Sequence, residues 1–243
     1  MKSQRRLVGP QVSDSNINVA NIISYWKLED NALDEKDINN GVPTNLTYTN
    51  GTVGRSGVFS DSRILIPNDP ILSFTDGQND LPFSVSFIIS FSSTGSKVII
   101  SKYNNTSSSI NNEWYVWILN TNRLRFGMAS GDSVSGYKRI GFITNVVLTV
   151  NTIYHVTCTY SGNKTSGGCK IYVDGINVAG SYDQSLPYNG QIAGDKDVSI
   201  GSQTDGLNKL SGELDEIILW NKELDDSDIL ELKELQMSGG SIT

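Results

Sequence analysis

The sequence predicts an all-β fold, a sandwich, jelly roll or barrel finished by one short helix. Three observations predict it. Short apolar stretches recur from Ile22 to Asn221. Clusters of Gly, Asn, Asp and Ser separate them. No helical period interleaves them before Leu224. Phe83 to Phe91 (FSVSFIISF) alternates strictly, as a half-buried strand does. Lys97 to Lys102 and Trp114 to Leu119 are short apolar strands. Arg123 to Met128 follows the second across Asn120-Thr-Asn122, a hairpin spacing. Phe142 to Val150, Ile153 to Tyr160, Cys169 to Val173, Asp197 to Ile200 and Leu214 to Trp220 continue the series. The helix starts at Asp225, an N-cap candidate, with Asp228 in its first turn. Ile229, Leu232 and Leu235 then form its apolar stripe. Residues 1–21 are polar, broken by Gly9-Pro10, and read as a flexible arm. Residues 22–237 read as one domain and 238–243 as a flexible tail.

Composition excludes several classes of function. A chain of 243 residues buries a core without disulfides or structural metals. The net charge of −7 argues against a nucleic-acid surface. No run of 18 apolar residues predicts a membrane span. Arg5 and Arg6 have no apolar stretch behind them, so no secretory signal is read. There is no P-loop and no dinucleotide fingerprint. Cys158 and Cys169 flank the turn-rich stretch Ser161 to Gly168, and alternation points both into the core. They read as two buried free thiols, with a cross-strand disulfide as the alternative. No Cys/His cluster suggests zinc.

The order of local words adds a resemblance. Tyr25-Trp-Lys-Leu-Glu-Asp30 with Asn39-Asn-Gly41, and Gly54-Arg-Ser-Gly-Val-Phe59, open the series. Phe83-Ser-Val-Ser-Phe87 follows, then Tyr154 to Tyr160 with Lys170-Ile-Tyr-Val-Asp-Gly175. Gly212-Glu-Leu-Asp-Glu-Ile-Ile-Leu-Trp-Asn221 closes it. In this order the words resemble the laminin-G-like, concanavalin-A-like jelly-roll superfamily of lectins and glucanases. The resemblance covers residues 22–237 and implies a two-sheet antiparallel jelly-roll β-sandwich with one short C-terminal helix. It also implies a structural Ca²⁺ between the first strand's turn and the last strand, at Asp30, Asp34 and Asp215. Hard oxygen ligands from separate segments suit that ion.

Two groups of residues have the types that catalysis uses. Glu213 and Asp215 lie two apart on one strand face with Glu216 beside them, as paired glycosidase carboxylates do. Positions 217 and 218 are isoleucines, so the distal carboxylate of such enzymes is missing, and the same residues match the superfamily's non-catalytic closing strand. His155, the only histidine, falls inside a strand with Thr157 and Thr159 facing outward, and reads as structural. The expectation is therefore a non-enzyme: an adhesion or attachment module. Sugar platforms need aromatic rings beside amides and carboxylates. Tyr103 with Asn104 and Asn105, and Tyr137, Tyr182 and Tyr188, are the loop candidates. Partners expected are glycans or surface proteins, other structural subunits docked through the arm, and further copies of the chain. A particle surface such as a bacteriophage virion is the expected location, with a secreted lectin-like domain as the alternative.

Overall fold

The computed structural model describes residues 17–103, 112–132 and 136–242, with the side chains of 131, 132, 136 and 137 left out of the description. Its strands are β1 (Ile22–Trp26), β2 (Val42–Thr44), β3 (Thr47–Asn50), β4 (Arg55–Ser60), β5 (Arg63–Ile66), β6 (Phe83–Phe91), β7 (Lys97–Lys102) and β8 (Trp114–Ile118). They continue with β9 (Leu124–Asp132), β10 (Gly136–Thr144), β11 (Tyr154–Tyr160), β12 (Cys169–Val173), β13 (Ile176–Asn177), β14 (Gly180–Tyr182), β15 (Val198–Ile200) and β16 (Ser211–Trp220). One helix, α1 (Asp226–Met237), closes the chain.

All pairings are antiparallel and form two sheets. Sheet A runs β13-β12-β11-β6-β16-β4-β3, with β1 also paired to β16. Sheet B runs β14-β10-β9-β8-β7-β15-β5-β2. The main core lies between them and includes Trp26, Phe59, Phe83, Phe87, Trp114 and Phe126. Phe74 stacks on Phe83 with ring centroids 3.9 Å apart. Cys158 and Cys169 sit in this core as free thiols, as the alternation of their strands predicts.

A second apolar layer covers the outer face of sheet A. It gathers Ile22, Tyr25, Tyr172, Ile218 and Trp220 under Ile229 and Leu232 of α1. The capping box expected at Asp225 is present: Asp228 N–H donates to Asp225 Oδ1 at 2.9 Å, and Asp228 returns the contact to the Asp225 N–H. The layer corrects three expectations. β6 is not half buried. Ser84 and Ser86 are fully buried because their hydroxyls accept from the Leu224 N–H and the Trp220 indole N–H. His155, Thr157 and Thr159 face the helix side of sheet A, not solvent. Ile17 and Ile242 are both buried in the layer, so the packed unit extends beyond 22–237 at each end.

The strand expected at Phe142 to Val150 also differs. β10 begins earlier, at Gly136, and ends at Thr144, whose hydroxyl accepts the Leu124 N–H and donates to the Val146 carbonyl. That side chain takes over the ladder's role, and Val146 and Val147 leave the sheet for solvent.

Leu232 contributes to a layer only one helix thick, with little around it to collapse into a void. Leu232→Ala is expected to cost about 2–5 kcal/mol. Chemical denaturation reads this as a lowered midpoint with sheet B intact.

Candidate functional site

The outer face of sheet A is covered by α1, while the outer face of sheet B carries the partly exposed side chains of Trp117, Arg125 and Arg139 beside a buried central row. Val116, Phe126, Met128 and Ile140 point into the core. Alternation therefore turns Tyr115 and Trp117 of β8, Arg125 and Gly127 of β9, and Arg139 and Gly141 of β10 outward. The register places Ser199, Ser101, Tyr115, Gly127 and Gly141 in one row across five strands. Tyr115 is the only large side chain in it. A Cβ on Gly127 would stand 2.7 Å from the Tyr115 hydroxyl, so the phenol end of this ring lies directly over that glycine.

Around the row sits a polar aromatic cluster. The rings of Tyr103, Tyr115 and Trp117 meet at centroid distances of 5.4, 5.6 and 5.5 Å. The Arg125 guanidinium lies 5.0 Å from the Tyr115 ring and 5.8 Å from that of Trp117, within cation–π range. Asp183, just after β14, donates its N–H to the Gly141 carbonyl at 2.9 Å. Its carboxylate receives both Arg125 Nε at 2.6 Å and Arg139 Nε at 2.9 Å. Two guanidiniums thus share one carboxylate. The Trp117 indole N–H, the Ser101 hydroxyl and Arg123 Nε are shielded from solvent with no partner in the protein.

The tyrosines expected as sugar platforms are dispersed. Tyr103 joins the cluster, but at 5% exposure it is a packed ring and not a loop platform. Tyr188 is 7% exposed and is a buried strut. Its hydroxyl and that of Tyr160 donate to the same oxygen of the buried Asp80, at 2.8 and 2.7 Å, while the Gln191 N–H binds the other oxygen. Burying that carboxylate requires those donors. Tyr182 is 62% exposed at the sheet edge, tilted against Phe142 at 6.4 Å. Tyr137 lies on β10 with its side chain outside the described residues, as do Asn104 and Asn105 entirely. Tyr115, Trp117, Arg125, Arg139 and Asp183 were not anticipated. The alternation of Arg123-Leu-Arg-Phe-Gly was the available signal for a cationic outer face.

The carboxylates of β16 have a different role. A bulge interrupts the β16–β6 ladder between Asp215 and Ile218, with Glu216 at φ 53°. It turns Asp215 and Glu216 to the same side of sheet A. Asp215 Oδ2 accepts the Thr52 and Val53 N–H groups at 3.1 and 3.0 Å, and its Oδ1 has no partner. Glu216 Oε2 accepts the Tyr25 hydroxyl and Gln236 Nε2, the latter at 3.0 Å. Gln236 Oε1 in turn meets His155 Nε2 at 2.9 Å. Burial pushes Asp215 and Glu216 each up to about 7 and His155 down to about 4. A small pocket of about 90 Å³ beside them is lined by Asn50, Thr52, Ser56, Ser90, Glu213 and Asp215.

The calcium set does not fit. Asp34 spends both oxygens on the backbone N–H groups of Tyr25, Lys36 and Asn39, at 2.8, 3.1 and 3.0 Å. Asp30 pairs with Arg55 at 3.1 Å, and Asp215 holds the 52–53 turn. Among the described residues no group of three or more His, Cys, Asp or Glu side chains could hold a metal. Burial also raises both thiols, which keeps Cys158 and Cys169 in the unreactive form.

One outer sheet face sealed by a helix and the other carrying aromatic and charged side chains complete the two-sheet sandwich. The chain belongs to the concanavalin A-like lectin/glucanase superfamily, whose family model matches residues 60–230. Solved structures share the fold. The binding domain of Paraclostridial Mosquitocidal Protein 1 aligns with a TM-score of 0.67 at 16% identity, covering 88% of this chain and 52% of that one. Domain 4 of AbnA, a GH43 extracellular arabinanase from Geobacillus stearothermophilus in complex with arabinotriose, aligns at 0.60 and 15% identity, covering 87% and 98%. The binding domain of botulinum neurotoxin DC in complex with SialylT aligns at 0.61 and 18% identity, covering 90% and 52%. The chain thus spans about half the length of the toxin domains. No curated protein matches its sequence.

Two outcomes are expected. Glu216 stays protonated in the fold up to about pH 7 but ionises near 4.5 when unfolded. Its contribution is fully present below about pH 4.5 and is lost as pH rises through about 7. Glu216→Gln keeps an oxygen for Tyr25 and Gln236, and is expected to recover on the order of 1–3 kcal/mol at pH 8 relative to pH 5. Thermal melts at both pH values measure it. Gly127→Ala is expected to displace Tyr115 and lower the melting temperature. Near-ultraviolet circular dichroism reads the loss of the fixed aromatic environment.

Proposed function

We propose that the chain is a non-catalytic carbohydrate-binding module whose recognition surface is the outer face of sheet B. The observation that carries this reading is the partly exposed Trp117 ring grouped with Arg125, Asp183 and Arg139, with the buried Tyr115 ring packed against Trp117 and Arg125. Aromatic rings bind the apolar faces of sugar rings, and fixed Arg and Asp groups select their hydroxyls. Main cores exclude such groups, and this cluster stands apart from the main core, around the small group of Tyr103, Tyr115 and Ala129. The likeness to a domain crystallised with arabinotriose and to toxin binding domains supports the reading.

Catalysis finds less support. Glu216 is sealed under Tyr25 and Gln236, which leaves Glu213 and Asp215 beside the small pocket without a third carboxylate. His155 has Gln236 as its ring partner and no nucleophile on it. Display on a bacteriophage particle and docking through the N-terminal arm, residues 1–21, stay expectations of the sequence.

A glycan array followed by calorimetry tests the module. Trp117→Ala is expected to weaken the best array ligand at least about tenfold, a loss of about 1.4 kcal/mol. Circular dichroism should be unchanged, and no sugar should be released on long incubation. Undiminished affinity in Trp117→Ala would place binding elsewhere. Release of reducing sugar that Glu213→Gln abolishes would make the chain an enzyme.

A further inference from the structure

We propose that the cavity beside Glu213 and Asp215 binds a primary alkylammonium group, the chemistry at the end of a lysine side chain. The site is independent of the glycan reading: it lies on sheet A and takes a different ligand.

Strand parity and one turn build it. Leu214 points into the sandwich core, so Glu213 and Asp215 both leave the opposite face of β16. Glu213 stands across from Ser90 of β6 on one side and Val58 of β4 on the other. The turn between β3 and β4, residues 51–54, meets these strands and is closed by the Gly51 N–H on the Gly54 carbonyl at 3.0 Å. A Cβ on Gly51 would stand 2.6 Å from Asp215 Oδ2, so the close approach requires glycine. The cavity of about 90 Å³ lies where turn and strands meet, and no α1 residue lines it.

The lining suits a cation on an apolar stem. Its polar residues are Asn50, Thr52, Ser56, Ser90, Glu213 and Asp215, and none is basic. Asn50 and Ile153 are exposed while Ser90 and Glu213 are half-buried, so the cavity opens to solvent. Ile153, 51% exposed at this opening, gives methylene groups an apolar contact. Glu213 receives one hydrogen bond, from the Ser56 hydroxyl at 3.3 Å, and keeps an oxygen free for an ammonium N–H.

Asp215, in the wall of the cavity, supplies the reason for a positive charge. It is 2% exposed. Its Oδ2 serves the Thr52 and Val53 N–H groups, and its Oδ1 has no partner. Glu216 and Glu29 add negative charge around it. The cations of this region are engaged elsewhere, Arg55 with Asp30 and Asn50, and Lys27 with Glu35. A buried carboxylate without a counter-charge is costly, and a cation in the cavity offsets that cost. A divalent metal finds no third carboxylate in the lining, and a neutral hydroxyl gains nothing from the charge.

The test is a titration of the full chain with Nα-acetyl-lysine amide, followed by backbone amide NMR shifts. Nα-acetyl-norleucine amide, with the same stem and no charge, is the control, and the comparison needs no variant to fold. The lysine derivative should move Gly51, Thr52, Val53 and Ser90 and bind at least about tenfold more tightly than the control. A parallel arm with 1,5-diaminopentane tells whether free amines share the site with protein side chains. Raising the pH from 6 to 8 should tighten the lysine derivative up to about tenfold, because Asp215 ionises through about 7 while the ammonium stays charged. Glu216 ionises over the same range and acts in the same direction. Glu213→Gln should weaken the lysine derivative about tenfold and leave the control unchanged. Equal shifts from the norleucine control overturn the inference. So do shifts that leave residues 50–53 and 90 untouched, or no shifts at all. None of these outcomes bears on glycan binding by sheet B.

Discussion

Strand β16 is the constraint on which the rest of the molecule depends. One edge of it pairs with β6 along its length. Its other edge changes partner, from β4 over Ser211 to Leu214 to β1 over Ile217 to Trp220. The bulge at Asp215 and Glu216 sits at that change. Two strands cannot end and begin on one edge without leaving backbone groups to be satisfied, and Asp215 meets part of this need by accepting the Thr52 and Val53 N–H groups. The same bulge turns Glu216 outward, where Tyr25 and Gln236 close over it. The inner residues Leu214, Ile217 and Leu219 stay in the sandwich core, while Ile218 and Trp220 feed the layer beneath α1.

That arrangement divides labour between the two sheets. The outer face of sheet A is occupied by α1, by Ile17 and Ile242, and by a polar chain running from Glu216 through Gln236 to His155. Its titrating groups oppose each other. The raised carboxylates favour the fold at low pH, and the depressed His155 favours it at higher pH, its contribution being lost as pH falls through about 4. The helix layer is therefore held best in mildly acidic conditions. With the outer face of sheet A committed to structure, the proposed recognition surface is the part of sheet B that carries Trp117, Arg125, Asp183 and Arg139.

The fold was legible because its signals are local. The strict alternation of β6, the Asp174-Gly175 turn and the Asp225 cap each follow from the residues that form them. The second layer was less legible. Ser84, Ser86 and Thr157 are polar and read as solvent-facing, yet tertiary contacts bury all three. Gln236 is buried with Ile229 and Leu232, beside Leu235 that packs against the same layer, because its amide bridges Glu216 and His155. The site was the least legible part. Tyr188 and Tyr103 sit in loop-like sequence but serve packing, while Trp117 and Tyr115 sit in a strand that reads as core. Only the register of β8 against β9 and β10 brings them beside Arg125, Asp183 and Arg139. Asp183 reaches the arginines from the far end of sheet B, a pairing that sequence spacing does not encode.

The central claim is that sheet B, not the carboxylate pocket of sheet A, is where the ligand lies. Amide and indole NMR shifts recorded while titrating the best array glycan address it directly. The account predicts the largest changes at the Trp117 indole and at the Arg125, Gly127, Gly141 and Asp183 amides. Changes concentrated instead at Asn50 to Val53, Ser90 and Glu213 to Asp215 would contradict it and move recognition to the opposite face.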